Sequence, residues 1–375
     1  MDNKKLLEAA KVLGDAIAGD RGAQGVIKGM VDGSSYALRE AFSTSDLLRT
    51  FKVTTEQAVL KQYAAQPKVW QDFAKRNVMN DFKPSHFREL FADWSALPET
   101  NGGRVTAPDS LPNIPELTEY PAISWGVGEA QMSLSKNGAR APFSWEAVIN
   151  DEWDLLSSLP TYLGQLASNT EDTQATQQLA SAAGPNAVVF SAGNGNAADN
   201  KPLTLDNLAA AQQAVLNRKV NGNYITVNRW RLVVPRQLEL VAKQILATTE
   251  VFTEIAGANG AVTRTKSILP VQGNVSLTVN DWLTKIDKSA TAATTWYLVP
   301  DGGDDGTRTA IVVNFLRGHE APEFRQSANG GLYLGGGAVP TLEGSLLNDD
   351  IEYRVRHVTS GATVKPQALY ASKGA

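Results

Sequence analysis

Cysteine is absent from the chain, which excludes disulfides, thiolate metal sites and a cysteine nucleophile in one step. Stability must therefore come from packing, from subunit contacts, or from both. Long apolar runs are missing as well, and no stretch approaches the roughly 18 uninterrupted apolar residues of a membrane span. The opening MDNKKLLEAAKVLGDAIAG is interrupted by Glu8, Lys11 and Asp15 at helical spacing, so it predicts an amphipathic helix rather than a signal peptide. An excess of positive charge is lacking too. With 35 basic against 39 acidic residues and a net charge of -4, there is no basic footprint of the kind that neutralises nucleic-acid phosphates. Histidine is scarce: His86, His319 and His357 lie far apart, none with a partner at HExxH-like spacing, and no metal site is expected.

Catalytic signatures are missing in the same way. The nucleophile elbow GxSxG does not occur. The loop FSAGNGNAAD, after the strand-like NAVVF, has the glycines of a phosphate loop but neither GxGxxG nor GxxxxGK[ST], and reads as a surface turn. The pairs Asp304-Asp305 and Asp349-Asp350 flank glycines and polar turns and read as solvated loop acids, although two carboxylates of a glycosidase need not be close in sequence. The expectation is a protein with no catalytic residues, no cofactor and no metal.

What is present is turn-rich. Hydrophobic residues are 42%, and 31 glycines with 17 prolines point to a mixed α/β chain of one large irregular domain or two to three lobes. Residues 19–46 hold five glycines and no sustained period, and read as an arm ordered only against something else. Thr54 or Thr55 caps a helix through Gln66, and Pro67 suits the first turn of a second helix, PKVWQDFAKRN. Tyr63, Trp70, Phe73, Phe82, Phe87, Phe91 and Trp94 make residues 60–95 a packed region. Residues 99–145 differ in kind, with five prolines and the alternation ISWGVGEAQMSLS. These predict edge-type strands or an extended arm, most simply a two-stranded projection lying on a neighbouring subunit. Asn137-Gly138 is a hairpin signal or a bend near the base of that arm.

In WEAVINDEWDLLSSLPTYLG the acids are explained by helix initiation. Asn150 or Asp151 is the N-cap, and Glu152 and Asp154 fall in the first turn, where the helix dipole favours negative charge. Pro160 either kinks that helix or marks a stop near Ser158 and a restart. The continuation to about Ala183 has an apolar stripe limited to Leu163, Leu166, Ala167, Ala175 and Leu179, and predicts a half-solvated surface helix. Beyond it, Thr204 caps LDNLAAAQQAVLNRK, RWRLVVP reads as a buried strand, a helix follows from Pro235 to Ala247, and the runs after residue 265 are short and β-like.

The order of these segments resembles the major capsid proteins of tailed bacteriophages with the Hong Kong 97-like fold, and among them the Mu-like major head subunits. VWQDFAKRNVMNDFKPSHFREL, the arm LPNIPELTEY, the INDEWDLL..P..LG block, WRLVVPRQLELVAKQIL and the tail LLNDDIEYRVRHVTSGATVKPQALYASKG carry the resemblance over roughly residues 44–375. It implies an α+β (mixed) fold: an N-terminal arm (1–50), a first part of the peripheral domain (51–98), an extended β-hairpin E-loop (99–145), the E-loop base and long spine helix (146–184), an axial α/β domain (185–345) and C-terminal strands of the peripheral domain (346–375). It also implies a shell of hexamers and pentamers around non-specifically contacted double-stranded DNA, assembled in the bacterial cytoplasm with a portal and, in some relatives, decoration proteins. Glu116, Glu119, Tyr120, Trp125 and Glu129 are then the candidate inter-subunit contacts. Only about 50 residues precede the first packed region, so a separate scaffold protein is expected rather than a fused one. Lys136 is the only lysine between residues 84 and 200, so covalent cross-linking of the E-loop is not expected. The competing readings are an encapsulin-like nanocompartment shell and, more remotely, a soluble hydrolase using unlinked carboxylates.

Overall fold

The computed structural model describes residues 60–93, 100–101, 104–105, 114, 116–117, 119–120, 124–144, 146, 153–220, 223–247, 250–256, 262–268, 274–301, 309–327, 334, 345 and 348–374. The expected N-terminal arm, the Thr54 or Thr55 cap and the Asn150 or Asp151 cap lie outside these residues. The strands up to the long helix are β1 (Lys75–Met79), β2 (Ser85–Asp93), β3 (Thr100–Asn101), β4 (Arg104–Val105), β5 (Ser124–Met132) and β6 (Lys136–Ser144). Helix α1 (Trp153–Leu179) is followed by β7 (Ala180–Ser181), β8 (Gly184–Pro185), α2 (Leu205–Leu216), β9 (Lys219–Val220), β10 (Asn223–Tyr224), β11 (Trp230–Val234) and α3 (Glu239–Ala247). The remainder comprises β12 (Glu250–Ala256), β13 (Val262–Ile268), β14 (Val275–Val279), α4 (Trp282–Ile286), β15 (Trp296–Pro300), β16 (Ile311–Leu316), β17 (Glu323–Gln326), β18 (Asp350–Thr363) and β19 (Tyr370–Ser372). The fold class is mixed α+β, as expected.

The chain divides into two compact units: residues 1–67, 136–170 and 319–358 form one, and residues 68–135, 171–318 and 359–375 the other. In the larger unit a four-stranded sheet runs β14-β11-β15-β19, parallel between β11 and β14 and antiparallel elsewhere. WRLVV and WYLVP are nearly continuous apolar runs because both faces of this sheet are covered. Their alternation of side sends Trp230, Leu232, Val234, Trp296 and Leu298 into one core with Leu208, Ala211 and Val215 of α2 and Ala242 of α3. Val233, Tyr297 and Val299 enter a second core with Trp70, Phe73, Leu179, Ile311, Val313 and Phe315. Thr204 caps α2 as predicted, its side chain accepting from the Asn207 N–H at 3.2 Å.

Three local expectations fail in this unit. PKVWQDFAKRN is not a helix: a 3-10 turn, Val69–Asp72, leads into β1, which pairs in parallel with β16. The apolar spacing was helix-like because Trp70, Phe73 and Ala74 all point into the core from the turn and its exit. NAVVF is not a strand. Asn186 organises it as turns, taking the Val188 N–H on its side chain at 3.0 Å and the Val189 N–H on its carbonyl at 3.1 Å. Residues 60–95 are only partly packed, for Phe82 and Phe87 are 51% and 37% exposed.

In the smaller unit β18 is flanked by β6 and β17, both antiparallel. Ile351, Tyr353, Val355 and His357 form its buried face. Phe324 stacks on Tyr353 at 5.5 Å, Phe143 meets Tyr353 edge-on at 5.9 Å, and Tyr63, from the helical residues 60–65, meets His357 at 5.7 Å. Asn137-Gly138 makes no turn: both residues lie inside β6, opposite His357 and Arg356. A Cβ at Gly138 would stand 2.6 Å from the Val355 carbonyl oxygen, so glycine serves the close approach of two strands and not a bend. Pro160 lies inside α1, which continues through it to Leu179 without the stop near Ser158. Proline removes the amide donor at that position, and the helix is sustained by its turns on either side.

Candidate functional site

The alternating stretch before Lys136 forms a strand, β5, in a two-stranded ladder. β5 pairs with β2, not with β6, in nine antiparallel pairs from Ser85↔Met132 to Asp93↔Ser124. The ladder is two-stranded among the described residues, and residues 94–123 connect its strands; within that connection β3 pairs with β4, Thr100 with Val105 and Asn101 with Arg104. Near the base, His86 Nδ1 lies 3.6 Å from Glu129 Oε2 across the strands, both side chains exposed. Trp125 sits in β5 opposite Ala92. Glu116, Leu117, Glu119 and Tyr120 in the connection are exposed, Tyr120 at 82%. Leu117 is held at φ 61, a left-handed conformation that leucine rarely adopts. A second two-stranded ribbon, β12-β13, has seven pairs from Glu250↔Ile268 to Ala256↔Val262.

The segment Lys68–Asp72 is fastened to α1 by buried polar groups. Glu171 is fully buried and takes the Trp70 Nε1–H at 2.9 Å and the Lys68 ammonium at 3.0 Å. Asp172 accepts the Trp70 backbone N–H at 2.9 Å, and burial pushes its pKa up to about 6 against that bond, with the neighbouring Glu171 charge adding to the rise. Thr176 donates to the Asp172 carbonyl at 2.7 Å and accepts from Asn280 Nδ2 at 2.8 Å. The polar positions of α1 that predicted solvent contact are therefore buried at Ser168, Glu171, Asp172 and Thr176. Polarity alone does not separate a solvated face from a bonded one.

The glycine loop is closed by its own asparagines. Asn194 Nδ2 donates to the Val188 and Val189 carbonyls at 3.1 and 2.9 Å, and Asn196 Oδ1 takes the Ser191 N–H at 3.2 Å. Asn196 Nδ2 donates to the Pro366 carbonyl at 2.6 Å and so ties the loop to the C-terminal segment. His319 bonds Glu323, which also receives Arg356; burial acts against the charge of Glu323, but these bonds hold its carboxyl below the usual range. Among the described residues no group of three or more His, Asp or Glu side chains is placed to hold a metal ion.

A family model described as "Phage capsid protein" matches residues 128–372. The chain belongs to that family. It is a structural protein of the virion, a capsid subunit, and the matched range includes β6, α1, β18 and the core built around α2, β11 and β15. No curated protein matches this capsid protein in sequence. Similar solved structures include the mature capsid of bacteriophage PhiM1 (8% identity, TM-score 0.44, covering 82% of this chain and 87% of that one). The capsid of cyanophage P-SCSP1u is similar at 12% identity and TM-score 0.47, covering 82% and 88%. A virus-like particle from Pyrococcus furiosus matches at 11% identity and TM-score 0.40, covering 85% and 97%. No helix of the described capsid residues is long and apolar enough to cross a membrane.

Of the residues singled out from sequence, Glu129 and Trp125 stand on the ladder and Glu116, Glu119 and Tyr120 on its exposed connection. Pro160 is separate from them, inside α1. The Lys68-Trp70-Glu171-Asp172 fastening was missed. Its one signal was the adjacent acids of NTEDTQ facing a helix position where the apolar stripe is interrupted.

Proposed function

We propose that this capsid protein is the major head subunit of a tailed bacteriophage, resembling the Mu-like head subunits with the Hong Kong 97-like fold. It self-assembles into hexamers and pentamers of an icosahedral shell enclosing double-stranded DNA, within the host cytoplasm. The observation that carries the proposal is the family match over residues 128–372. The ladder β2-β5 supports it: two strands without a third gain little stability alone, and nine pairs extended into a proline-containing connection suit a segment that rests on a neighbour. Glu116, Glu119, Tyr120, Trp125 and Glu129 are the proposed inter-subunit contacts, so the E-loop is bounded by Ser85 and Met132 where the ladder closes. Overlapping arms turn weak contacts into a durable lattice, because each added contact in an assembled shell is intramolecular. A separate scaffold protein, a portal and decoration proteins are the proposed further partners.

The test is size. Expressed with its genomic neighbours, the chain is expected to sediment as closed shells or as rings of five and six, seen directly by negative-stain microscopy. A persistent monomer of about 40 kDa, the mass of one chain, overturns the proposal.

A further inference from the structure

Two buried polar atoms in the larger unit, one donor and one acceptor, have no hydrogen-bond partner among the described residues: the Tyr297 hydroxyl and Asp287 Oδ2. Both residues are closed off from the surface, Tyr297 at 0% and Asp287 at 3% exposure. An orphaned polar atom in a core costs about as much as a lost hydrogen bond, so native interiors keep few of them. The packing brings the two residues into one region. Asp287 ends α4, its N–H bonded to the Leu283 carbonyl at 2.8 Å, and Leu283 lies in the same core cluster as Tyr297. The next residue, Lys288, donates its N–H to the Ala182 carbonyl at 3.1 Å, and Leu179 and Ala180, just before that turn, belong to the cluster as well. Burial raises the pKa of Tyr297, and the Asp287 charge adds to the rise, so the carboxylate is near enough for its field to reach the phenol. Neither group is free to close on the other. Tyr297 is fixed in β15 by its pairs with Val233 and Ala371 and by the Phe190 ring at 5.7 Å, and the Asp287 carboxylate is held through Oδ1 by the Ser289 N–H at 2.8 Å.

We propose that Tyr297 and Asp287 bind one internal water, which accepts the tyrosine O–H and donates to Asp287 Oδ2. Water is the smallest molecule that both accepts and donates, and a buried water typically makes about two to four bonds to groups that would otherwise be unsatisfied. A dry gap does not suit the site, because cavities that stay empty are apolar. A divalent cation suits it no better: calcium and magnesium take about six or more oxygen ligands, whereas the cluster around Tyr297 is built from such side chains as Leu179, Phe190 and Leu283. The bound water would join the end of α4 to β15, an inner strand of the four-stranded sheet, through solvent rather than through a direct side-chain contact. This site belongs to the folded subunit and does not depend on the shell reading above.

The experiment joins a map to a mutant cycle. In a crystal or particle map that resolves ordered solvent, a single peak is expected within about 2.6–3.2 Å of both the Tyr297 hydroxyl and Asp287 Oδ2. Absence of the peak overturns the inference, as does a direct bond between the two side chains or a peak ringed by oxygens at the shorter distances of a cation. Urea unfolding of the subunit gives the second readout. Tyr297→Phe removes only the hydroxyl, and if that hydroxyl bonds a water the unfolding equilibrium constant should rise about fivefold, the worth of one hydrogen bond. Asp287→Asn keeps an acceptor for the Ser289 N–H while changing what the water meets, so in its background the effect of Tyr297→Phe should shrink at least about twofold. Unchanged or increased stability of Tyr297→Phe, or strict additivity of the two substitutions, overturns the inference.

Discussion

The adjacent carboxylates Glu171 and Asp172 differ in what holds them. Glu171 is compensated by a charge: Lys68 and the Trp70 indole both point at it. Replacing Lys68 with Met leaves a buried carboxylate without its cation and is expected to cost about 3 kcal/mol, measured by urea unfolding. Asp172 is raised, mainly by burial, to about 6, so the folded chain holds this proton more tightly than the unfolded one. Its contribution to stability is complete below pH about 4 and is lost as pH rises through about 6. Asp172→Asn keeps an acceptor for the Trp70 N–H, so the difference in unfolding midpoint between variant and wild type should grow in favour of the variant from pH 4 to pH 7. A flat difference contradicts the assignment. NTEDTQ signalled these acids only by their adjacency and not what holds them, because the partners come from residues about 100 positions away in sequence.

Among the elements, legibility followed how much of the signal was local. The buried strands β11 and β15 announced themselves as unbroken apolar runs, and α2 by its Thr204 cap. β1 did not, because KRNVM has little strand character of its own and is a strand by virtue of its pairing with β16. Asn137-Gly138 misled in the opposite direction, since a short-range turn signal cannot reveal that a second strand passes 2.6 Å from where a Cβ would stand. Gly138→Ala is accordingly expected to destabilise by about 1 to 3 kcal/mol although residue 138 is exposed, with a lowered thermal midpoint as the readout. Gly361→Ala is expected to cost more, because its Cβ would meet the Gln174 carbonyl oxygen of α1 at 2.2 Å and backbone on both sides would have to move. Equal effects of the two substitutions, or none, contradict the close-packing account.

At the scale of the molecule the family was legible from the order of segments, while strand pairing was not: the sequence predicted a two-stranded arm within 99–145, and β5 pairs instead with β2, Ser85–Asp93. The reason is that β2 lies in a stretch whose aromatics read as core. Deleting residues 94–123 and joining Asp93 to Ser124 through Asn-Gly keeps every ladder pair and should leave the subunit folded by circular dichroism. Closed shells are expected to disappear from micrographs of that variant; normal shells would show that the connection has no part in assembly. The two ribbons β2-β5 and β12-β13 also bear on how the protein must be handled before it assembles. Among the described residues each strand in them has one neighbour and therefore one open row of backbone donors and acceptors. A concentrated pool of unassembled chains would have those rows available for irregular strand-to-strand growth. Synthesis that outruns shell closure should therefore end in fibrous or amorphous precipitate, and cooler, slower expression should recover particles.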